Sequence, residues 1–383
     1  MSGNIKKEIK LVKKYGGQTI FTSGITFSSS QIIRNNFDTL DKKQKNEIIY
    51  LKKKFNIENI KKILKNIENT NISVIGETIL DHYIFCEALG KASKDSTLVV
   101  KKNEEEILIG GAAAIANNLA KFTKKVQLFS FYGKSDELNK IIKSKLKKNI
   151  VRLFINLKDR PTILKSRLLD KLNNNKIIGI YNLNDDVIKG HAQTNLLSKL
   201  RKNLGSQPLI VADYGHGLLS KKILNYICSK KNFVSVNAQI NSSSIGYHNL
   251  LNYKKVNLIV INEKEIRFEM RDRNSKIEIL MKKLLNKVNC KLLVVTRGNL
   301  GLIAYDKKNF FYSNAYAKEV LDKIGAGDTI LFLLSILIFN KVDIRLALFL
   351  SSIAAALNVR NYANLHTIEK NEILKIIENL YKI

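Results

Sequence analysis

Cysteine is scarce in this chain. Of 383 residues only Cys86, Cys228 and Cys290 carry a thiol, and they lie far apart. They form no zinc spacing, and a disulfide framework is not expected. Apolar runs long enough to cross a bilayer are missing too. Met1–Lys14 is basic without the continuous apolar core of a secretory signal. No window reads as a membrane-spanning helix, which takes about 20 apolar residues. These absences predict a soluble, cytoplasmic protein with no membrane partner. Acid is also in short supply: 33 Asp and Glu stand against 65 Lys and Arg, a net charge of +32. Such a charge invites a nucleic-acid reading. However, the basic residues are mostly Lys, which an AT-rich genome favours together with Asn and Ile. The charge is spread as well, with +9 on residues 1–70 and +23 on the rest. Without a compact Arg cluster or Arg/aromatic interleaving, a solvated Lys-rich surface is the expectation, with no nucleic-acid partner.

What is present is enough apolar residue, 45%, to bury a sizeable core in one large or two modest domains. From residue 71 apolar runs alternate with helical patterns. The runs are 71–81, 125–133, 208–219, 232–239, 257–265 and 291–301, each ending in polar residues or Gly. Between them lie helical stretches such as 110–122, 220–230 and 275–288. This alternation predicts an α/β fold, a mostly parallel sheet with helices on both faces. Ligands then collect at the carboxyl ends of the strands, where Asp213, Asn237, Asn262 and Thr296 fall. Residues 96–111 and 161–185 break the alternation. They read as strands of a small antiparallel flap over about 84–109 and 161–183, the second a hairpin turned at Asn173–Asn175.

The stretch "LDKIGAGDTILFLLSILIF" (321–339) places three small residues and one acid before a buried helix. A helix N-terminus attracts anions, and Gly325, Ala326 and Gly327 let backbone N–H groups approach a phosphate. Asp328 then sits where a carboxylate could take a proton from a hydroxyl while the amides stabilise phosphoryl charge. A Gly-rich turn with an acidic cap is the plainer alternative.

This stretch resembles the C-terminal signature of the ribokinase-like, or PfkB, carbohydrate kinases. "VIGETILDHY", "GGAAAIANNLA", "NEKE" (262–265) and "TRGNLG" (296–301) follow the family's order over residues 71–383. The resemblance implies a three-layer sandwich with a β lid, and ATP and Mg2+ as cofactors. It places Asp328 as the base and Gly325, Ala326 and Gly327 as the anion hole. Asp81, Gly110, Gly111, Asn117 and Asp213 fall on the sugar side, with Asn117 or Asn118 standing in for a sugar-binding Asn that the family has at the position of Ala114. Asn262, Glu265, Thr296, Gly298, Gly301 and Asn358 fall on the nucleotide side, with Glu265 reaching magnesium through water and no direct metal ligand. "LGKASKDSTLVV" and "ADYGHGLLS" are similar to the kinase half of bifunctional heptose kinase/nucleotidyltransferases. In that likeness Lys165 and Arg167 face a phosphorylated sugar such as heptose 7-phosphate, on a path to nucleotide sugars for surface polysaccharide. Departures are Ile324 for a common Thr, Ala114 for a sugar-binding Asn, Asn237 and Gln239 for an Asp and a Lys, and Glu77 for the usual first Asp. His216 reads as shaping the site beside Asp213. The flap's open edges suggest a homodimer.

Residues 16–37 resemble the end of a nucleotidyltransferase domain, with Ser28, Ser29 and Ser30 before a helix. The H-x-G-H motif such enzymes need is absent, so 1–37 reads as a remnant or truncation without transferase activity, and 38–70 as a Lys-rich helical linker. A second hypothesis follows: a catalytically weak scaffold that docks a separate nucleotidyltransferase partner.

Overall fold

The structure is a computed structural model that describes Tyr15 and residues 40–172, 175–240, 250–362, 365 and 367–382. The chain divides into two compact units, 1–41 and 42–383. The Ser28–Ser30 turn and the nucleotidyltransferase-like stretch lie outside the described residues, as does the flap hairpin tip at 173–174.

Nine strands form the main sheet: β1 (Ile72–Gly76), β4 (Val126–Tyr132), β5 (Ile150–Asn156), β8 (Leu209–Asp213), β9 (Val234–Ala238), β10 (Lys255–Asn262), β11 (Asn289–Thr296), β12 (Leu302–Tyr305) and β13 (Phe310–Ser313). Their order is β13-β12-β11-β10-β9-β8-β1-β4-β5. All neighbours pair in parallel except β11–β12 and β12–β13. Strands β1 and β8 are buried at every position, so both faces of the sheet are covered. The chain runs from β1 out to β5, then returns to β8 and continues the other way. Right-handed crossovers in opposite directions put their helices on opposite faces. Helix α3 (Gly111–Phe122) packs with α9 (Ala326–Phe339) and α10 (Ile344–Asn358) on one side. Helices α5 (Gly190–Asn203), α6 (Lys221–Ser229), α7 (Glu263–Glu269) and α8 (Ile277–Lys287) lie on the other. The apolar run after Asp328 is the buried part of α9, from Thr329 to Leu337. Among the described residues no helix is long and apolar enough to cross a membrane.

Helices α1 (Lys42–Lys54) and α2 (Ile57–Asn66) are built into the larger unit. Ile48, Leu51 and Ile60 are fully buried. Glu47 Oε2 accepts from Asn314 N at 2.8 Å and from Tyr316 Oη at 2.9 Å. The Lys-rich face is the solvated remainder. Helix α4 (Asp136–Lys145) joins β4 to β5, and α11 (Lys370–Leu380) closes the described chain against α10 and α2.

The flap is a four-stranded sheet, β3-β2-β6-β7, made of β2 (Thr78–Lys91), β3 (Leu98–Gly110), β6 (Leu164–Asp170) and β7 (Lys176–Asn182). It was expected to be antiparallel and is mixed, because β2 and β6 pair in parallel. The reason is topological. Strand β2 continues from β1 and β6 follows β5, so both leave the carboxyl edge of the parallel sheet in the same direction. The run 71–81 accordingly splits at Glu77, between the two sheets.

Candidate active site

The reversal of strand order lies between β1 and β8, and open α/β sheets bind ligands outside the carboxyl ends at such a point. The two strands meet closely there: a Cβ on Gly76 would fall 2.0 Å from Ala212 O. The next residue, Glu77, is 0% exposed. Its carboxylate accepts Tyr214 N at 3.1 Å and Leu218 N at 3.2 Å. Thus one buried acid at the end of β1 holds the loop that follows β8. Asp213 anchors the same loop, accepting Gly215 N at 3.1 Å and Tyr253 Oη at 2.5 Å. Burial pushes its carboxyl up to about 6. His216, fully buried, shares a 2.6 Å hydrogen bond with Asp185 through Nδ1.

Over this loop stands the first turn of α9. Gly325 caps it with φ +83°, a left-handed conformation that favours Gly. A Cβ on Gly327 would meet no atom within 4 Å, so open space faces the turn's backbone. Asp328, half-buried, accepts Tyr214 Oη on Oδ1 at 2.9 Å. Its carboxyl is pushed up to about 7, chiefly by burial. The Tyr214 hydrogen bond and Lys165 oppose the shift, while Asp81 and Glu265 add to it. A carboxyl poised there suits a general base near neutral pH.

The flap supplies the next wall. Asp81 and Tyr83 on β2 lie in register with Lys165 and Arg167 on β6, so the four side chains share one face. Arg167 Nη1 donates to Asp81 Oδ1 at 2.6 Å. The Arg167 guanidinium lies 5.6 Å from the Tyr83 ring and 5.8 Å from that of Tyr181. Burial pulls the Lys165 ammonium below the usual lysine range, with Asp81 opposing. Gly110 makes room for this arrangement, since a Cβ there would fall 2.2 Å from Asp81 Oδ2. Gly111, at φ +60°, turns the chain into α3 over Glu77 O. Asn117 does not join them. It is 5% exposed, donates to Lys145 O at 3.0 Å and accepts Lys147 N at 3.1 Å. Its helical position turns it toward the α4–β5 connection, so the expectation of a sugar contact is corrected. Asn118 is likewise spent, on Ala114 O and Ile368 N.

On the third side, Asn262 and Glu265 form a reciprocal cap on α7: Glu265 N donates to Asn262 Oδ1 at 2.8 Å, and Asn262 N to Glu265 Oε2 at 3.0 Å. Burial pushes Glu265 up to about 7. Asn237 is pinned to the sheet through Val260 O at 2.8 Å. Thr296 ends β11 beside Asn262. Gly298 and Gly301 follow in a tight turn at φ +58° and +82°. Asn358 was placed on the nucleotide side, and its amide is taken up within the protein. It is 3% exposed, donates to Ile324 O at 2.9 Å and accepts Thr329 Oγ1 at 3.1 Å. It braces the glycine turn through Ile324 O.

Residues 69–369 match the pfkB family carbohydrate kinases. The chain belongs to that family. This pfkB kinase is 29% identical over 298 residues to the bifunctional protein HldE of Campylobacter curvus, covering 76% of this chain and 62% of that one. It is 27% identical over 321 residues to HldE of Aliarcobacter butzleri, covering 82% and 65%. The chain therefore spans about three-fifths of the length of these relatives. In structure it is similar to phosphofructokinase-2 from Escherichia coli, with a TM-score of 0.65 at 12% identity over 82% of this chain and 99% of the other. Ribokinase from Thermotoga maritima gives a TM-score of 0.61 at 18% identity over 81% and 99%. The ribokinase-like α/β fold is thereby established.

Sequence reasoning missed several residues of this pfkB kinase site. Tyr214 follows the strand-end Asp213, but nothing local says that its hydroxyl reaches α9. Arg297 ties the Gly298 turn to α7 through Glu263 at 2.7 Å. Lys176 on the flap reaches Asp322 at 3.0 Å, just before the glycine turn. Ile324 packs onto the flap cluster of Tyr83, Leu108 and Leu169.

Proposed function

We propose that this kinase transfers the terminal phosphoryl group of ATP to the anomeric hydroxyl of a sugar phosphate of the heptose 7-phosphate type. The product would feed nucleotide-sugar synthesis for surface polysaccharide. The observation that carries the reading is Asp81 flanked by two cations, Arg167 and Lys165, on the flap face. A carboxylate alone would serve neutral hydroxyls. The second, desolvated cation suits an anionic substituent.

Asp328 would accept the proton of the attacking hydroxyl. The amides of Gly325, Ala326 and Gly327 would hold the charge developing on the transferring group. Thr296, Gly298 and Gly301 would line the nucleotide's path, with Asn262 and Glu265 beside the phosphates. Among the described residues no three acidic, His or Cys side chains converge on a metal site. Burial holds both Asp328 and Glu265 up at about 7, and Glu265 adds to the shift of Asp328, so a cation brought with the nucleotide's phosphates would favour the ionised carboxylates. Magnesium in that place would neutralise phosphate charge, and Glu265 would meet it through water. The flap would exclude water from the transfer.

The test is ADP release with ATP and Mg2+ across free sugars and sugar 7-phosphates. Turnover is expected with heptose 7-phosphate. Turnover confined to unphosphorylated sugars would overturn the assigned substrate class. A scaffold without catalysis is not favoured, because the chain matches the pfkB carbohydrate kinases and keeps an acid, Asp328, in the first helical turn after the glycines. The likeness of residues 16–37 to a nucleotidyltransferase end, and a transferase partner, remain proposals of the same kind. A homodimer through the flap is proposed from exposed Leu98, Ile178 and Ile180 on its strands β3 and β7, at the sheet's two edges. Sedimentation is expected to give a dimer, which Ile178→Lys with Ile180→Lys converts to monomer; a monomeric wild type would end that idea.

A further inference from the structure

The base of a phosphoryl transfer must be both ionised and aimed, and burial alone works against the first requirement. Asp328 is buried enough for its carboxyl to be driven far above an ordinary Asp. Among the described residues one hydrogen-bond donor touches it: Tyr214 Oη on Oδ1 at 2.9 Å. We propose that Tyr214 is a positioning residue for Asp328, fixing the carboxylate's rotation so that Oδ2 is left for the acceptor hydroxyl and favouring its ionised form. This rests on the reading of Asp328 as the base.

The geometry behind it is long-range. Tyr214 comes from the β8 loop, 114 residues before Asp328 in the chain. That loop is held at both ends of its backbone by one buried acid, Glu77, through Tyr214 N and Leu218 N. It is held a third time by Asp213, which Tyr253 and Gly215 grip. A phenol so fixed cannot follow the carboxylate if it turns; it dictates the carboxylate's orientation. Three other charged groups act on Asp328: Asp81 and Glu265 oppose its ionisation, and Lys165 favours it. Among the described residues Tyr214 is the one that contributes a directed hydrogen bond. Its own proton stays in place, because burial and the Asp328 charge hold the phenol well above its usual range. It therefore remains a donor at working pH and is excluded as an alternative base. A donor to a carboxylate stabilises the ionised form, so losing it raises the carboxyl's pKa.

The experiment is a carbon NMR titration of the full chain labelled with 13C-carboxyl aspartate, with no sugar or nucleotide added. The Asp328 signal is identified by its loss in Asp328→Asn. The wild-type midpoint is expected at about 7. In Tyr214→Phe, which keeps the buried ring, it is expected to move up by about one pH unit, the worth of one hydrogen bond to a charged group. A midpoint that stays in place or falls overturns the role of Tyr214. This outcome is separable from failure of the base assignment, which shows instead as undiminished phosphorylation by Asp328→Asn with the titration shift intact.

Discussion

Replacing Asp328 by Asn is expected to lower phosphoryl transfer by about a thousandfold, the contribution of a well-placed general base, while nucleotide binding survives. Asn keeps the shape of the side chain and can still accept Tyr214 Oη, so the loop and the first turn of α9 should stay in place. What it loses is the basicity that takes the hydroxyl proton. The amides of Gly325–Gly327 are untouched, so calorimetric affinity for Mg-ATP should change by less than about threefold, since no binding contact is removed. The pH profile supplies a companion measurement. A base with its carboxyl at about 7 is mostly protonated below that pH, so kcat/KM should fall on the acid side with a midpoint near it. The sign is set by the base role: ionised Asp328 is the active form, and activity rises with pH through the midpoint. Unchanged turnover in the Asn variant would remove Asp328 from the mechanism.

The second large effect is on the fold. Gly76→Ala is expected to destabilise the protein by about 3 kcal/mol, at the upper end of overpacking costs. The added methyl would sit 2.0 Å from Ala212 O and 2.9 Å from Ala212 C. Both are backbone atoms of a central strand, so no side-chain rotation can relieve the clash. Strands β1 and β8 would have to part, and Glu77 and Tyr214 ride on that seam. The check is the urea midpoint against wild type. Gly327→Ala serves as the contrast: its Cβ meets nothing within 4 Å, so stability should hold even where the methyl intrudes on a phosphate. Equal midpoints for Gly76→Ala and wild type would show that the β1–β8 contact yields easily.

Much of this architecture could be read before any coordinates. Strands at 126–132, 209–213 and 289–296 and the helix at 111–122 follow from apolar period and flanking polar residues. The glycine turn and its acid were conspicuous because small residues before an apolar helix have few other uses. Side-chain destinations were less accessible. Asn117 and Asn358 carry amides that suit a ligand equally well, and chain folding spent both on protein groups 28 to 34 residues away. Glu77 looked like a departure from pattern, yet its carboxylate organises a loop 137 residues on. The direction of β6 relative to β2 was hidden as well, because a run of alternating residues looks the same in a parallel or an antiparallel pair.

By itself the sequence determined which segments are buried, which turns need glycine and in what order chemistry-bearing residues meet the carboxyl edge of a parallel sheet. These are local properties, written in period and composition. Only the tertiary structure decided which polar groups face the cleft and which are consumed in holding it, since a hydrogen bond such as Tyr214 to Asp328 exists only after distant strands and a helix have packed.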